Sequence, residues 1–224
     1  MTRILAVDTT VRHCSVALLD GGRILAEQQD APRRHTELLL PMVDRLLAAA
    51  GLVPTRLDAI AFGLGPGSFT GLRIALGVAQ GIALACDLPL LGVSSLATMA
   101  QGIMAERPDE DEFCCALDAR MGEVYWGRYR RTAEGVATAL CEDQILSPSG
   151  VSLPAHDRWL ALGAGWGVAG MPRPHRELRD WEPLARHMLP LAARDWQLGR
   201  AVDPAVAAPV YLRNQVATPS GHQH

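Results

Sequence analysis

The first thirty residues carry a hydrophobic pattern that predicts three strands. The segments RILAVD, CSVALLD and GRILAEQQ hold apolar residues in short runs bounded by turn-forming residues, which is typical of strands in a sheet. Asp20, Gly21 and Gly22 separate the second segment from the third, and glycine supplies the positive φ that a tight hairpin turn needs. We therefore expect the chain to open with three strands connected as hairpins.

Apolar residues then recur at helical spacing. They predict a helix within residues 36–50, with Gly51 as its C-terminal stop. Pro41 is expected near the first turn, because a proline further inside would kink the helix. Residues 58–63 and 89–93 predict strands, and residues 70–86 and 94–106 predict helices. The last of these helices has Ser94 or Ser95 as its N-cap.

The predicted order, β-β-β-α-β-α-β-α, indicates an α/β fold with a mixed sheet and helices on both faces. The charged run ERPDEDE at 106–112 marks a boundary or an exposed loop. Beyond it, the segments FCCALDA and GEVYWGRYRR and residues 159–165 predict a thinner set of strands, and residues 183–198 predict a helix. We divide the chain into a first domain at 1–106, a reduced second domain at 107–213 and a flexible tail at 214–224.

The amino-acid composition excludes several kinds of binding partner and reaction. The net charge is −3, so a strongly basic face for free nucleic acid is not favoured. All 21 basic residues are Arg, which excludes a Schiff-base lysine and a phosphate-gripping lysine. Five cysteines without a CxxC pair argue against a disulfide framework and fit a reduced, cytoplasmic setting. Asp8 interrupts the N-terminal apolar run, and the longest apolar helix candidate, residues 74–86, is too short to span a bilayer. No membrane association is expected.

The glycine-rich turn GLGPGSFTG follows a strand and precedes a helix, as a phosphate-binding loop does. It lacks the lysine of a Walker A loop, and its glycine spacing exceeds the dinucleotide fingerprint by one residue. Ser68 or Thr70 is expected to cap the helix. Because a helix N-terminus attracts anions, Gly67, Ser68 and Thr70 remain a candidate anion-binding turn.

Isolated carboxylates give weaker signals. Asp8 ends a strand before two threonines, where it could begin a metal–phosphate site or simply cap a turn. Asp118 and Glu123 could act as acid and base, but a charged hairpin turn accounts for them better. The histidines form neither HxxxH nor HExxH, so a helical pair of metal-binding histidines is absent and no metal site is expected.

Two helices have unusual faces. Gly77 and Gly81 lie one turn apart on the second predicted helix, although each glycine costs about 0.5–1 kcal/mol relative to alanine. Tight packing against another backbone would explain both. The first helix, residues 37–50, is apolar around more than half of its circumference, so it is either sandwiched inside the fold or binds a partner.

Six segments resemble the bacterial TsaB (YeaZ) family and follow in its order along nearly the whole chain. They are LAVDTTVRHCSVAL, HTELLLPMVDRLL, AFGLGPGSFTGLRIALGVAQGIAL, LLGVSSLATMA, ALDARMGEVYW and PVYLR, of which GPGSFTGLR within the third is highly specific. This family is the dimerisation subunit of the complex that makes N6-threonylcarbamoyladenosine on tRNA beside the anticodon. The resemblance implies an actin-like or Hsp70-like ATPase fold with two ribonuclease-H-like domains, the second reduced.

The resemblance also implies a catalytic paralogue, TsaD, which binds a metal and a nucleotide and transfers the threonylcarbamoyl group. That paralogue has two metal-binding histidines where this chain has Ser95 and Met99, and an acidic residue where this chain has Arg12. The resemblance therefore implies a non-catalytic subunit that binds no cofactor firmly, with ATP and metal on the partner subunit.

The family forms its heterodimer through helices of the first domain, so the resemblance assigns the two unusual helices to an interface. The implied interface residues are Leu39, Leu40, Met42, Val43, Leu46, Arg73, Ile74, Gly77, Val78 and Gly81. The implied partners are a TsaD-type paralogue, a TsaE-type ATPase in the larger complex and, indirectly, tRNA. A homodimer is expected when the chain is alone.

Three other functions remain open from the sequence. The chain could be a small ATPase or sugar-kinase-like enzyme of the same fold, supported only by Asp8 and Asp118. A metallopeptidase is weaker still, because the metal motifs are missing. Arg128, Arg130 and Arg131 could bind tRNA directly, although an exposed strand edge with solvated arginines is the simpler explanation.

Overall fold

The three predicted N-terminal strands form one antiparallel ladder. In the computed structural model, which describes residues 1–213, they are β1 (Arg3–Asp8), β2 (His13–Asp20) and β3 (Arg23–Asp30). Gly21 and Gly22 at the β2–β3 turn have φ values of 57° and 97°, as the hairpin prediction requires. The predicted tail at 214–224 lies outside the described residues.

Two parallel strands complete the first sheet. They are β4 (Ala59–Gly65), which pairs with β1, and β5 (Leu90–Ser94), which pairs with β4, giving the order β3-β2-β1-β4-β5. The connections are the helices α1 (His35–Ala50) and α2 (Phe69–Cys86). Both helices pack on the same face of this sheet, where they cover Leu5, Val7 and Phe62. Their cover gives the first half a continuous hydrophobic core.

Two details of these helices differ from expectation. Pro41 is the seventh residue of α1 rather than a first-turn residue, and the helix continues through it. The proline is exposed, so water can reach the helix face where the backbone N–H is missing.

The α2 helix begins at Phe69 and has 18 residues, so it is long and apolar enough to cross a membrane by length and composition. The length argument against a span is therefore wrong, although a helix packed on a sheet passes the same test.

The second half repeats the strand order of the first. Its strands are β6 (Glu112–Arg120), β7 (Glu123–Arg131), β8 (Ala137–Ala139), β9 (Gln144–Leu146), β10 (Trp159–Leu162) and β11 (Glu177–Leu178). Read from its β8 edge, the sheet runs β8-β7-β6-β10-β11, with β9 also paired to β7. Antiparallel and parallel pairs fall at the same places as in the first sheet. This repetition confirms two ribonuclease-H-like sheets, the second with less helix.

The predicted strand at 159–165 is too long. The β10 strand ends at Leu162, and the chain turns at Gly163, whose φ is 95°, into a short 3-10 turn at Ala164–Gly167. A Cβ atom at Gly163 would lie 2.4 Å from the carbonyl oxygen of Ala116. The chain therefore leaves the sheet where only glycine fits between the two strands.

Two helices lie between the sheets. They are α3 (Ser95–Ile103) and α4 (Ala185–Gln197), and they share one core with the inner faces of both sheets. Ser94 caps α3 by accepting a hydrogen bond from the Ala97 amide, as predicted. The α4 helix follows the second sheet in sequence but also packs on the first, where its Ala185 amide donates to Ser15 Oγ at 2.9 Å.

After α4 the chain returns to the first sheet as an extended segment, residues 200–213, which we call the C-terminal strap. Val202 bridges the edge strand at Leu90, and the Val210 amide donates to the Leu64 carbonyl at 3.0 Å. Arg213 then reaches Glu123 and the Ala119 carbonyl on the β6–β7 hairpin. The strap therefore connects the two halves along one side of the molecule.

Candidate functional site

The glycine-rich turn between β4 and α2 packs directly on the turn that follows β1. Ser68 Oγ accepts a hydrogen bond from the Gly71 amide at 3.2 Å, so Ser68 caps α2. The Ser68 amide donates to the Thr10 carbonyl at 2.7 Å, and Thr9 Oγ1 donates to the Gly71 carbonyl at 2.6 Å. These bonds fix the start of α2 against the first strand.

The glycines of this turn are required by that contact. A Cβ atom at Gly67 would lie 2.5 Å from the Thr10 carbonyl oxygen, and one at Gly71 only 1.9 Å from the Thr9 carbonyl oxygen. The motif GPGSFTG thus lets two backbones touch. In the candidate anion-binding turn, the Ser68 amide already has a protein partner, as does the neighbouring Gly71 amide. Gly67 faces Thr10, and Thr70 is exposed in the first turn of the helix.

Asp8 is buried at the end of β1 with 1% of its surface exposed. Its Oδ1 accepts hydrogen bonds from the Thr10 amide and hydroxyl, both at 2.7 Å, while its Oδ2 has no hydrogen-bond partner among residues 1–213. Burial raises the pKa of Asp8 to about 6, against the lowering effect of the Thr10 bonds. Asp8 thus caps the turn, as one of the two sequence interpretations proposed.

The residues around Asp8 do not fit a metal. Ser95 Oγ donates to Thr10 Oγ1 at 3.2 Å, and Met99 is fully buried. Arg12 points to Asp30, with an Nε–Oδ1 distance of 2.6 Å. Within residues 1–213, no group of three His, Cys, Asp or Glu side chains could hold a metal ion. One buried carboxylate beside the hydroxyls of Thr10 and Ser95 is a poor donor set for a hard cation.

Most of the other candidate charged residues make separate contacts within the fold, whereas Arg130 is exposed. Asp118 accepts from the Arg120 amide at 2.7 Å, whereas Glu123 pairs with Arg213. Arg128 pairs with buried Glu112 at 2.6 Å, and Arg131 donates to the Met104 carbonyl at 2.6 Å. These contacts are structural, so they support the simpler interpretation of both groups.

Most predicted interface residues on α1 point inward. Leu39, Met42, Val43 and Leu46 are buried against the first sheet, in the core that also contains Phe62 and Ala79. Only Leu40 is substantially exposed, at 48%. The outward side of α1 otherwise carries polar or small residues, so the helix has one buried apolar face. A charge at Leu39 would therefore disrupt the core of the first half and not only a partner interface.

The predicted residues on α2 divide between core and surface. Ile74 and Val78 are half-buried and pack against the core, whereas Arg73, Gly77 and Gly81 face outward. A Cβ atom at Gly77 or Gly81 would meet no atom of residues 1–213 within 4 Å. Packing within the described part of the chain thus does not explain the glycines.

Large apolar side chains flank these open glycines. Phe69 is 45% exposed at the start of α2 and Leu84 is 64% exposed near its end. The strap runs beside them, held by Gln80 Nε2, which donates to the carbonyls of Pro204 and Ala207. It contributes Val206, which is 73% exposed, and Tyr211. We call this surface the α2 face and define it as Phe69, Arg73, Gly77, Gly81, Leu84, Val206 and Tyr211.

Aromatic contacts order one end of the α2 face. The Arg73 guanidinium lies 4.1 Å from the Phe69 ring centre, and its Nε donates to Tyr211 Oη at 3.2 Å. The Phe69 and Tyr211 rings are 5.4 Å apart. Sequence reasoning missed this part, because Tyr211 lies far away in a segment without periodicity. Only its place in the PVYLR segment singled it out.

Comparison with known proteins agrees with this description. Residues 24–177 match the family model described as "TsaD: tRNA N6-adenosine threonylcarbamoyltransferase". The tRNA threonylcarbamoyladenosine biosynthesis protein TsaB of Escherichia coli is 43% identical over 96% of each chain. That of Haemophilus influenzae is 37% identical over 95% of this chain and 94% of the relative.

A solved structure agrees over the same extent. YeaZ from Pseudomonas aeruginosa superimposes with a TM-score of 0.90 and 44% identity, covering 95% of this chain and 100% of that one. Sequence and structure are therefore matched along almost the entire length. The chain belongs to the TsaB (YeaZ) family.

Proposed function

We propose that the chain is the accessory, non-catalytic subunit that binds a TsaD-type transferase and supports N6-threonylcarbamoyladenosine formation on tRNA. The named relatives support the pathway, since they are called tRNA threonylcarbamoyladenosine biosynthesis proteins. The observation that carries the subunit role is the α2 face, a row of exposed apolar residues around two open glycines.

The composition of the α2 face suits a helix-packing partner. Helices in contact usually lie 8–10 Å apart, and small residues at the crossing point give the shorter distances. Gly77 and Gly81 leave such a groove, while Phe69 and Leu84 border it with apolar surface. Burying apolar surface contributes about 25 cal/mol per Å². A partner helix would therefore recover the free energy that the two glycines cost α2.

The contacts around the glycine-rich turn and Asp8 favour an accessory role over the ATPase alternative. The amides of Ser68 and Gly71, which could contact a phosphate, already have protein partners. Asp8 lacks the neighbouring ligands that would place a metal next to it. We propose that ATP and metal are bound by the transferase subunit, with a TsaE-type ATPase joining the larger complex and tRNA reached indirectly. The same face would form a homodimer in the absence of the partner, and the setting would be cytoplasmic.

The subunit role is tested by placing a large side chain in the groove. Gly77→Arg should weaken binding to the purified TsaD-type subunit of the same organism at least tenfold, measured by isothermal titration. The variant should retain the circular dichroism of the parent, since no atom lies near that position. Ala133→Arg, in an exposed turn of the second half, is the matched control and should bind normally.

A tRNA-modification assay with both subunits completes the test. Modification should require the parent chain and fall in parallel with binding for Gly77→Arg. If the transferase modifies tRNA equally well without this chain, or if Gly77→Arg binds like the parent, the proposal is wrong. Turnover of ATP by the isolated chain would instead favour the ATPase alternative.

A further inference from the structure

A cavity of about 450 Å³ lies beside the strap, and none of the seven residues of the α2 face lines it. Its walls come from the ends of β4 and β5, from β8 and the loop that follows, from α4 and from the strap. Leu64, Val93, Ala97, Leu191 and Leu212 give it a mainly apolar lining. Its volume falls within the range of sites that bind small molecules.

One carboxylate is built into the wall of this cavity. Asp143 Oδ2 accepts a hydrogen bond from Ser94 Oγ at 2.5 Å, and its Oδ1 accepts one from Tyr129 Oη. A Cβ atom at Gly127 would lie 2.5 Å from Asp143 Oδ1, so the carboxylate sits over a strand position that only glycine allows. The two hydroxyls come from different sheets, Ser94 from the end of β5 and Tyr129 from β7, and together they hold the carboxylate in a fixed place.

Asp143 lacks a cationic partner among the described residues. No Arg or His side chain lies within salt-bridge distance of it in residues 1–213. Arg194, the cation in the lining, instead contacts Asp195 at 3.7 Å and donates to the Ala137 carbonyl. Burial raises the pKa of Asp143, against the lowering effect of the bonds from Ser94 and Tyr129.

We propose that this cavity binds a small organic cation, with the ammonium group on Asp143 and an apolar body against the aliphatic wall. A carboxylate accepts up to about four hydrogen bonds, and two hydroxyls supply only part of that number. A charge-assisted bond from an ammonium is about twice as strong as a neutral one. Glu142, which also lines the cavity, adds to its negative charge.

Benzylammonium is a suitable probe, with benzyl alcohol as the neutral analogue of the same shape. Titration into the full chain, followed by calorimetry and by the thermal midpoint, should show saturable binding of benzylammonium at least tenfold tighter than of the alcohol. Asp143→Asn keeps the size and an acceptor oxygen, and should bring the two probes within twofold of each other. Glu134→Gln removes an exposed carboxylate outside the cavity lining and should leave the preference unchanged.

A second variant guards against misfolding of Asp143→Asn. Ala139→Phe adds a ring at the rim of the cavity, on a strand residue that is exposed, and should weaken both probes. Equal binding of the amine and the alcohol by the parent chain would overturn the proposal. So would an unchanged preference in Asp143→Asn. Neither result depends on whether the TsaD-type subunit binds.

Discussion

The two sheets share strand order and strand directions, yet helices cover the outer face of the first and tryptophan side chains cover that of the second. The first sheet is covered by α1 and α2, which present an outward surface of their own. The outer face of the second sheet is covered by Trp126, Trp159 and Trp166 and by irregular chain. The indole of Trp166 lies 5.6 Å from that of Trp126 and donates to the Cys114 carbonyl at 3.0 Å.

This difference shows that the second half lacks the outer helix layer of the first. Three large rings cover the second sheet where two helices cover the first, and each aromatic side chain buries about 150–250 Å². A cover of this kind stabilises a sheet but leaves no helix surface for a partner. The exposed helix surface is therefore concentrated on the first half, where the α2 face lies.

The largest expected effect comes from disturbing the helix cover of the first sheet. Leu39→Asp places a charge in a fully buried position of α1 and should lower the free energy of unfolding by at least about 4 kcal/mol. Leu40→Asp, one residue further, is 48% exposed and should cost less than about 1 kcal/mol. Urea unfolding of both variants measures the difference. Similar losses for the two leucines would contradict the described orientation of α1.

The tryptophan cover of the second sheet should give the next largest effect. Trp166→Ala removes a buried ring and is expected to cost about 3–5 kcal/mol, measured by urea unfolding. Trp166→Phe keeps an aromatic ring but loses the bond to Cys114, and should cost clearly less. A loss below about 1 kcal/mol for the alanine variant would mean that the rings do not replace a helix layer.

Periodic patterns predicted the first half well and the second half less well. The residues of α1 and α2 recur at helical spacing, and both helices were placed within one residue of their observed limits. The strands β8, β9 and β11 have two or three residues each, too few to show a period. The cover by Trp126, Trp159 and Trp166 depends on long-range contacts that spacing cannot show.

The candidate site was predicted only in part, for a similar reason. Helical spacing identified an unusual apolar width on α1 but could not tell its buried side from a partner-binding side. Leu39 and Leu40 are adjacent, yet only the second is exposed. The strap contributes Tyr211 and Val206 to the α2 face through tertiary contacts with Arg73 and Gln80. Such contacts join residues far apart in sequence, which no local pattern reveals.

A smaller effect on stability is expected from pH, through the ionisation of Asp8, which is buried at the end of β1. Its pKa is raised from 3.8 to about 6 in the folded chain, so the folded state binds a proton more readily than the unfolded state. Stability from this group is therefore present at low pH and lost as the pH rises through about 6. Between pH 7 and pH 5, Asp8 should add about 1 kcal/mol to the free energy of unfolding. Asp8→Asn should lack this increment in parallel urea titrations, and an identical pH dependence would contradict it.

The smallest expected effect distinguishes what Gly77 and Gly81 do to the stability of α2 from what they do to partner binding. Gly77→Ala and Gly81→Ala add a methyl group where no atom lies within 4 Å, in the interior of a helix. Each should raise the free energy of unfolding by about 0.5–1 kcal/mol, because alanine favours the helix over glycine. Binding to the TsaD-type subunit should weaken in the same variants, since the added methyl groups occupy the proposed groove. Gly150→Ala, in an exposed 3-10 turn of the second half with its nearest neighbour at 3.8 Å, should leave that binding unchanged. A gain in stability together with weaker binding would show that the glycines serve the interface. A gain in stability with unchanged binding would instead place the partner on another surface.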